Sequence, residues 1–334
     1  MNSGRMHGMD SEHTPPIDPP ASSAVRRFWK LYGRTLALFL AIAAGALCPA
    51  AGSLAGILPF LLMGMLFFAF LDIRITRESF QWSMLGILAA NVAIPVVVFL
   101  LLRGIDPQLA LVGFLTAVAP TATATPVIVS YLDGRVDYVV PAVLLTNIGI
   151  ALVVPFLLPW VAGSSVQITT ADVLPSVLQV MFIPLLAAFF IRKFLPPLER
   201  LLLPGKALTF PIWLMMLFVV TAKASAFLQS GSGTSAGLLF WIAVLSLATC
   251  ILNFAAGAWI GGRGFRHEAS QALGQKNNSF TVWIGLTYLN PLTALGPTFY
   301  VLYHNLYNGF QLFLHERDLQ KSKSADSSRR REIP

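Results

Sequence analysis

Acidic side chains are the scarcest chemistry in this chain: 15 Asp and Glu stand among 334 residues, against 23 Lys and Arg. They fall in the tails, in loops or at the ends of apolar runs, as Asp72, Glu78, Asp106, Asp133, Asp137, Asp172, Glu199 and Glu268 illustrate. None stands in the middle of an apolar run. The paired acids and nucleophile–base sets of an intramembrane hydrolase are therefore missing, and the chain does not read as an enzyme. Charge of any sign is low, at 11%, where a soluble domain carries about 25%. Cysteine is nearly absent. Cys48 and Cys250 both lie in apolar runs, which excludes a disulfide framework and suits small core residues. No GxxxxGK loop occurs, so ATP drive is not expected. Neither repeated filter carbonyls nor charged rings of a channel are evident. Residues 1–27 lack the basic start and apolar core of a secretory signal. The net charge of +8 is spread over short loops and two tails, a topology signal rather than a nucleic-acid surface.

What is present is hydrophobic length. The chain is 56% hydrophobic, and a membrane-spanning helix needs about 20 mostly apolar residues. Runs between charged or Gly/Pro breaks number ten: 33–51, 54–72, 80–102, 108–132, 137–160, 173–192, 207–229, 236–260, 267–289 and 292–315. Basic residues alternate with this count. They occupy the N-tail, the second loop (Arg74, Arg77), the fourth (Arg135), the sixth (Arg192, Lys193, Arg200, Lys206), the eighth (Arg263, Arg266) and the C-tail. The intervening loops carry none except Arg103. The positive-inside bias then predicts a multi-pass protein of the cell (inner) membrane with both termini cytoplasmic. Residues 1–30 read as a disordered N-tail, 31–315 as the membrane domain and 316–334 as a charged C-tail.

Two runs are interrupted. Run four holds "APTATATPVIVSYL", in which Pro120 and Pro126 bracket Thr121, Thr123 and Thr125. A proline has no N–H to give and clashes with the carbonyl four residues back, so the helix should open between them. Run nine holds "ALGQKNNSFTVW". There Gly274 precedes Gln275, Lys276, Asn277, Asn278 and Ser279, about ten residues from each end of the run, too deep for the lysine to reach an interface. Each interrupted run is the fourth of five. Five is odd, so the second five must enter from the opposite side. Interrupted segments at matching places in two inverted halves point to the binding site of a secondary transporter. The expected fold is all-α: ten transmembrane helices in a 5+5 inverted repeat, with two broken helices that cross near mid-membrane.

These segments resemble the bile acid:sodium symporter family over most of residues 35–315. The resemblance is carried by "APTATATPVIVSYLDGRVD", by "GQKNNSF" and by "YHNL" at 303–306. Members carry Cys-Pro-Gly-Gly-Thr-Ala-Ser-Asn before a Tyr-Leu in span four. Here Ala119, Pro120, Thr123 and Tyr131-Leu132 keep that frame, and Ser-Asn becomes Thr125-Pro126. The His-Asn of span ten stands as His304-Asn305. The resemblance implies a panel of spans one, two, six and seven and a core of spans three to five and eight to ten. It also implies transport of an organic anion (bile-acid-like, a steroid sulphate or a small carboxylate), usually coupled to two sodium ions.

The departures matter for coupling. The family's span-nine motif Glu-x-Gly-x-Gln-Asn-Ser, laid on Gly274, puts Ala272 at the Glu and Lys276 at the Gln, then Asn277 and Asn278. The span-five polar pair falls on Thr146 and Asn147, and the span-three Gln falls near Ala90 or Asn91. One sodium site keeps Thr125, Thr146 and Asn147 but loses its carboxylate; the other gains a cation. A sodium ion in a low-dielectric site needs negative oxygens, so sodium is disfavoured, and no cofactor or bound metal is expected. Lys276 would stand where a sodium ion sits, with Asn277 and Asn278 bracing the break through their side chains. Candidate substrate- and ion-binding residues are Asn91, Thr121, Thr123, Thr125, Thr146, Asn147, Gln275, Lys276, Asn277, Asn278, Ser279, His304 and Asn305. Expected partners are a small organic anion and the lipid bilayer, not nucleic acid, with the oligomeric state left open. A sodium-coupled symporter of the same family and an arsenite-type efflux permease remain as alternatives. Members of the latter usually carry a cysteine in broken span four, and this stretch has none.

Overall fold

The computed structural model describes residues 33, 36–73, 80–163, 166–230 and 234–331, with side chains to residue 319. The expected N-tail and the loop arginines Arg74 and Arg77 lie outside the described residues. The chain divides into one unit through Leu40 and a second from Ala41 onward. Of the first, the described residues include Leu36–Leu40, the start of an apolar helix.

The described residues form helices in the following order. α1 (Leu36–Leu47) leads through a 3-10 segment (Pro49–Ile57) into α2 (Leu58–Asp72). α3 (Trp82–Leu102), α4 (Pro107–Ala117), α5 (Thr125–Tyr131) and α6 (Val136–Ala162) follow. Then come α7 (Thr170–Phe194), the short α8 (Pro196–Leu202), a 3-10 turn (Leu203–Leu208) and α9 (Thr209–Gln229). The chain ends with α10 (Ala236–Gly261), α11 (Arg266–Gly274), α12 (Asn278–Tyr288) and α13 (Pro291–Arg331). Among the described residues there is no strand, only an isolated antiparallel bridge between Thr121 and Lys276.

Among the described residues, six helical stretches are long and apolar enough to cross a membrane: Pro49–Asp72, Trp82–Leu102, Val136–Ala162, Thr170–Phe194, Pro196–Gln229 and Ala236–Gly261. Helices closed on their own backbone bonds are one of two structures that can do so. Their outward faces are greasy: Trp82 is 80% exposed and Trp259 84%, which suits lipid and not water. The protein is a multi-pass helical membrane protein. The runs that do not reach spanning length as single helices include the two that the sequence interrupts, which appear as the pairs α4–α5 and α11–α12.

Local chemistry sets these ends. α4 starts at Pro107 behind Asp106, whose carboxylate accepts from the backbone N–H of Gln108 (2.8 Å) and Leu109 (3.0 Å), an N-cap with proline at the first turn. α5 likewise carries a proline, Pro126, in its first turn. This proline therefore starts the second half-helix, while the opening of the chain lies ahead of it at 118–124. The C-tail's first part continues α13 as helix through Arg331.

Small residues let α11 lie directly on α10. A Cβ at Gly257 would come within 2.4 Å of the Ala269 carbonyl oxygen, and one at Gly274 within 2.3 Å of the Phe254 ring. Lipid tails give helices no hydrophobic drive to associate, so such close van der Waals contact is what holds them. The contact fixes where α11 ends, and hence where the polar stretch after it begins.

Candidate functional site

The two interruptions meet. The Asn277 N–H donates to the Pro120 carbonyl (2.7 Å), and the Ala122 N–H donates to the Gln275 carbonyl (2.9 Å). These bonds flank the Thr121–Lys276 bridge. Two short extended segments thus replace the helical bonds that each break gave up, as buried backbone requires. Side chains complete the accounting. Thr121 Oγ1 donates to the Ala272 carbonyl (2.6 Å) and Tyr300 Oη to the Gly274 carbonyl (2.7 Å). Thr125 Oγ1 donates to the Ala122 carbonyl (2.6 Å), and Asn278 Nδ2 reaches the Lys276 carbonyl (3.3 Å).

α6 supports the crossing from beside it. Thr146 Oγ1 accepts from the Thr121 N–H (3.2 Å), and Asn147 Nδ2 donates to the Thr121 carbonyl (2.9 Å) and to Val143 of its own helix (2.7 Å). Both residues are fully buried. Asn147 Oδ1 is buried and has no hydrogen-bond partner among the described residues.

Lys276 is 2% exposed. Its Nζ donates to Oδ1 of Asn91 on α3, and Asn91 Nδ2 is itself without a partner. Cys250 on α10 is buried in one cluster with Phe254 and Tyr300 at the wall of the crossing. No ion pair to Lys276 exists among the described residues. The buried acid on α11, Glu268, accepts instead from the Arg135 N–H (2.9 Å). A buried amine with one acceptor and no counter-charge is costly. It suits a group that meets an anion, or parts with a proton, during a cycle.

The candidate residues separate into those at the crossing and those away from it. Asn91, Thr121, Thr125, Thr146, Asn147, Gln275, Lys276, Asn277 and Asn278 share one hydrogen-bonded cluster with the two breaks. Asn277 enters it through its backbone N–H and not its side chain. Thr123 lies inside the first break and Ser279 in the first turn of α12, neither with a side-chain bond among the described residues. Asn305 is turned to its own helix, donating to the Val301 carbonyl (2.7 Å). His304 packs edge-on against Tyr300 at 5.7 Å, with Nδ1 unpartnered.

Three residues outside the expected set belong to the cluster's wall. Asn253 on α10 donates to Tyr300 Oη (3.3 Å), Tyr300 closes α11, and Gln271 Oε1 accepts from Gln275 Nε2 (2.7 Å). An asparagine inside the apolar run "TCILNFAAG" is a signal that sequence reading could have used for Asn253. Tyr300 carries no such signal.

No match is found among curated proteins. The sodium bile acid symporter family model matches residues 57–230, over half of the chain. The matched part includes α3, the first broken helix and α6, and stops before the second broken helix. On that match the chain belongs to the sodium bile acid symporter family and is a membrane transporter.

Proposed function

We propose that this protein is a secondary active transporter of an organic anion whose cycle runs without sodium, with the Lys276 amino group standing where a relative would hold a sodium ion. The membrane frame of this reading is a 5+5 inverted repeat in the inner membrane with both termini cytoplasmic. Its panel comprises α1, α2, α7 and α9; its core comprises α3 to α6 and α10 to α13. The observation that carries it is the buried Lys276 amine at the second break, bonded to Asn91 of α3 and paired with no carboxylate among the described residues. A positive amine and a sodium ion about 4 Å apart repel by roughly 4 kcal/mol at an effective dielectric of 20. That is about a thousandfold in affinity. The same amine attracts an anionic substrate, and a buried lysine can also pass a proton through the cycle.

Counterflow and gradient-driven uptake in proteoliposomes, with sodium and pH gradients imposed separately, test this reading. Uptake of the anion should not respond to an inward sodium gradient at fixed pH and membrane potential. Lys276→Gln should remove any pH response or weaken anion binding. Uptake that rises several-fold with sodium overturns the reading. A second reading has its own support: the unpartnered, buried Asn147 Oδ1 beside Thr146 and Thr121 offers neutral oxygen to one sodium ion. Sodium dependence that survives Lys276→Gln and disappears in Asn147→Leu would favour it.

A further inference from the structure

A groove of about 450 Å³ runs between α10, α11 and α13. Its floor is one stripe of α10: Leu247, Ile251, Phe254, Ala255 and Ala258. From Leu247 to Ala258 that stripe is about 16 Å long at 1.5 Å per residue, or about half of a hydrocarbon core roughly 30 Å thick. The Tyr303 and Tyr307 rings form the facing wall. At the mouth, where α10 ends, stand Arg266, His267 and Gln311.

The groove is therefore graded along its length, apolar in its depth and cationic at its mouth, where Arg266 opens α11 just after the loop that carries Arg263. Arg266 and His267 are exposed and form no ion pair among the described residues. No acid lines the groove. The acids closest in sequence and fold are engaged elsewhere: Glu268 accepts from the Arg135 N–H (2.9 Å), and Asp133 pairs with His315 (3.0 Å). A one-leaflet length, apolar walls and an unpaired guanidinium at the headgroup end describe one kind of occupant.

We propose that this groove binds one anionic phospholipid of the adjoining leaflet, with an acyl chain along the α10 stripe and its phosphate at Arg266 and His267. The bond is specific in charge as well as shape, since guanidinium–phosphate pairs are directional and basic residues near the headgroups are drawn to an anionic surface. The groove shares Cys250 and Phe254 with the wall of the crossing, but the lipid proposal does not rest on which substrate the crossing transports.

The full-length protein in nanodiscs of mixed phosphatidylglycerol and phosphatidylcholine, released for native mass spectrometry, tests this. Wild type should retain one phosphatidylglycerol several-fold over phosphatidylcholine. Arg266→Gln combined with His267→Gln should bring that ratio to one, and Ala255→Trp, which fills the groove, should lower retention of both lipids. Equal retention by wild type, or a preference unchanged in the double variant, overturns the proposal. So does full displacement of the lipid by millimolar inorganic phosphate, which would make this a free-anion site. If the charge variant does not fold, unchanged phosphatidylglycerol retention in Ala255→Trp overturns it alone.

Discussion

At the residue scale, Lys276 and Asn91 form the most exacting pair in the protein. The amine donates to Asn91 Oδ1 and has no acid beside it. Removing the amide while keeping the amine leaves a buried donor unmet, which costs about 1–3 kcal/mol. Asn91→Leu should therefore lower the detergent melting temperature in a wild-type background. Lys276→Met removes the need for the acceptor, so Asn91→Leu should be nearly neutral there. The cycle's coupling energy checks this; additive effects would mean that the pair does not interact. Lys276 was legible because a charge deep in an apolar run has few innocent explanations. Tyr300 was not, because its bond to the Gly274 carbonyl exists only after α13 folds back on the break. Asn277 was half legible: composition marks it as polar, but only the bridge geometry decides that its backbone acts.

At the element scale, the position of the second break depends on how closely α11 lies on α10. Gly257 has no room for a Cβ against the Ala269 carbonyl, at 2.4 Å. Neither partner there is a flexible side chain, so the helices must part. Gly257→Leu should cost about 1–3 kcal/mol in stability and reduce transport more than expression; unchanged transport would show that α11 can shift freely. The breaks themselves were readable from prolines and polar clusters, their limits less so. Pro126 looks like a breaker in the sequence. It sits in the first turn of α5, the position where the missing N–H costs nothing. Which of a proline's two roles applies depends on the side from which the helix approaches, and one chain of letters does not state it. The helical continuation of α13 past residue 315 was likewise hidden, because a polar, charged composition fits a solvated helix as well as a coil.

At the scale of the whole molecule, the alternation of basic loops makes a checkable statement about sides. α10 is long and apolar enough to cross a membrane, so Ser230 before it and Arg263 after it should face opposite compartments. In a Cys48→Ala background, Ser230→Cys should react with an impermeant maleimide in intact cells, and Arg263→Cys only after permeabilisation. Cys250 is buried and should stay silent in both. The reverse pattern would invert the orientation, and labelling of both from one side would remove α10 as a span. Hydropathy gave the helical class and most helix limits here because lipid imposes one rule on every segment. The run count with its two breaks named the two helices that meet, but hydropathy did not show that α6 and α10 would wall the crossing, since lipid and protein interior look alike to an apolar side chain.

The bridge between Thr121 and Lys276 has a consequence for motion. Amides in non-helical segments normally trade their hydrogens with solvent quickly. Those of Ala122 and Asn277 are instead bonded across the crossing at 2.9 and 2.7 Å, and opening either means parting two broken helices at once. Deuterium uptake there should be as slow as in the middle of α6, and it should quicken at both breaks together in Thr121→Ala, which removes the hydroxyl clamp on the Ala272 carbonyl. Such shared kinetics would mark the crossing as one opening unit. α4–α5 and α11–α12 would then be carried as a single body through any step that turns the site from one side of the membrane to the other. Rapid or unequal exchange at the two amides would show instead that each broken helix moves alone.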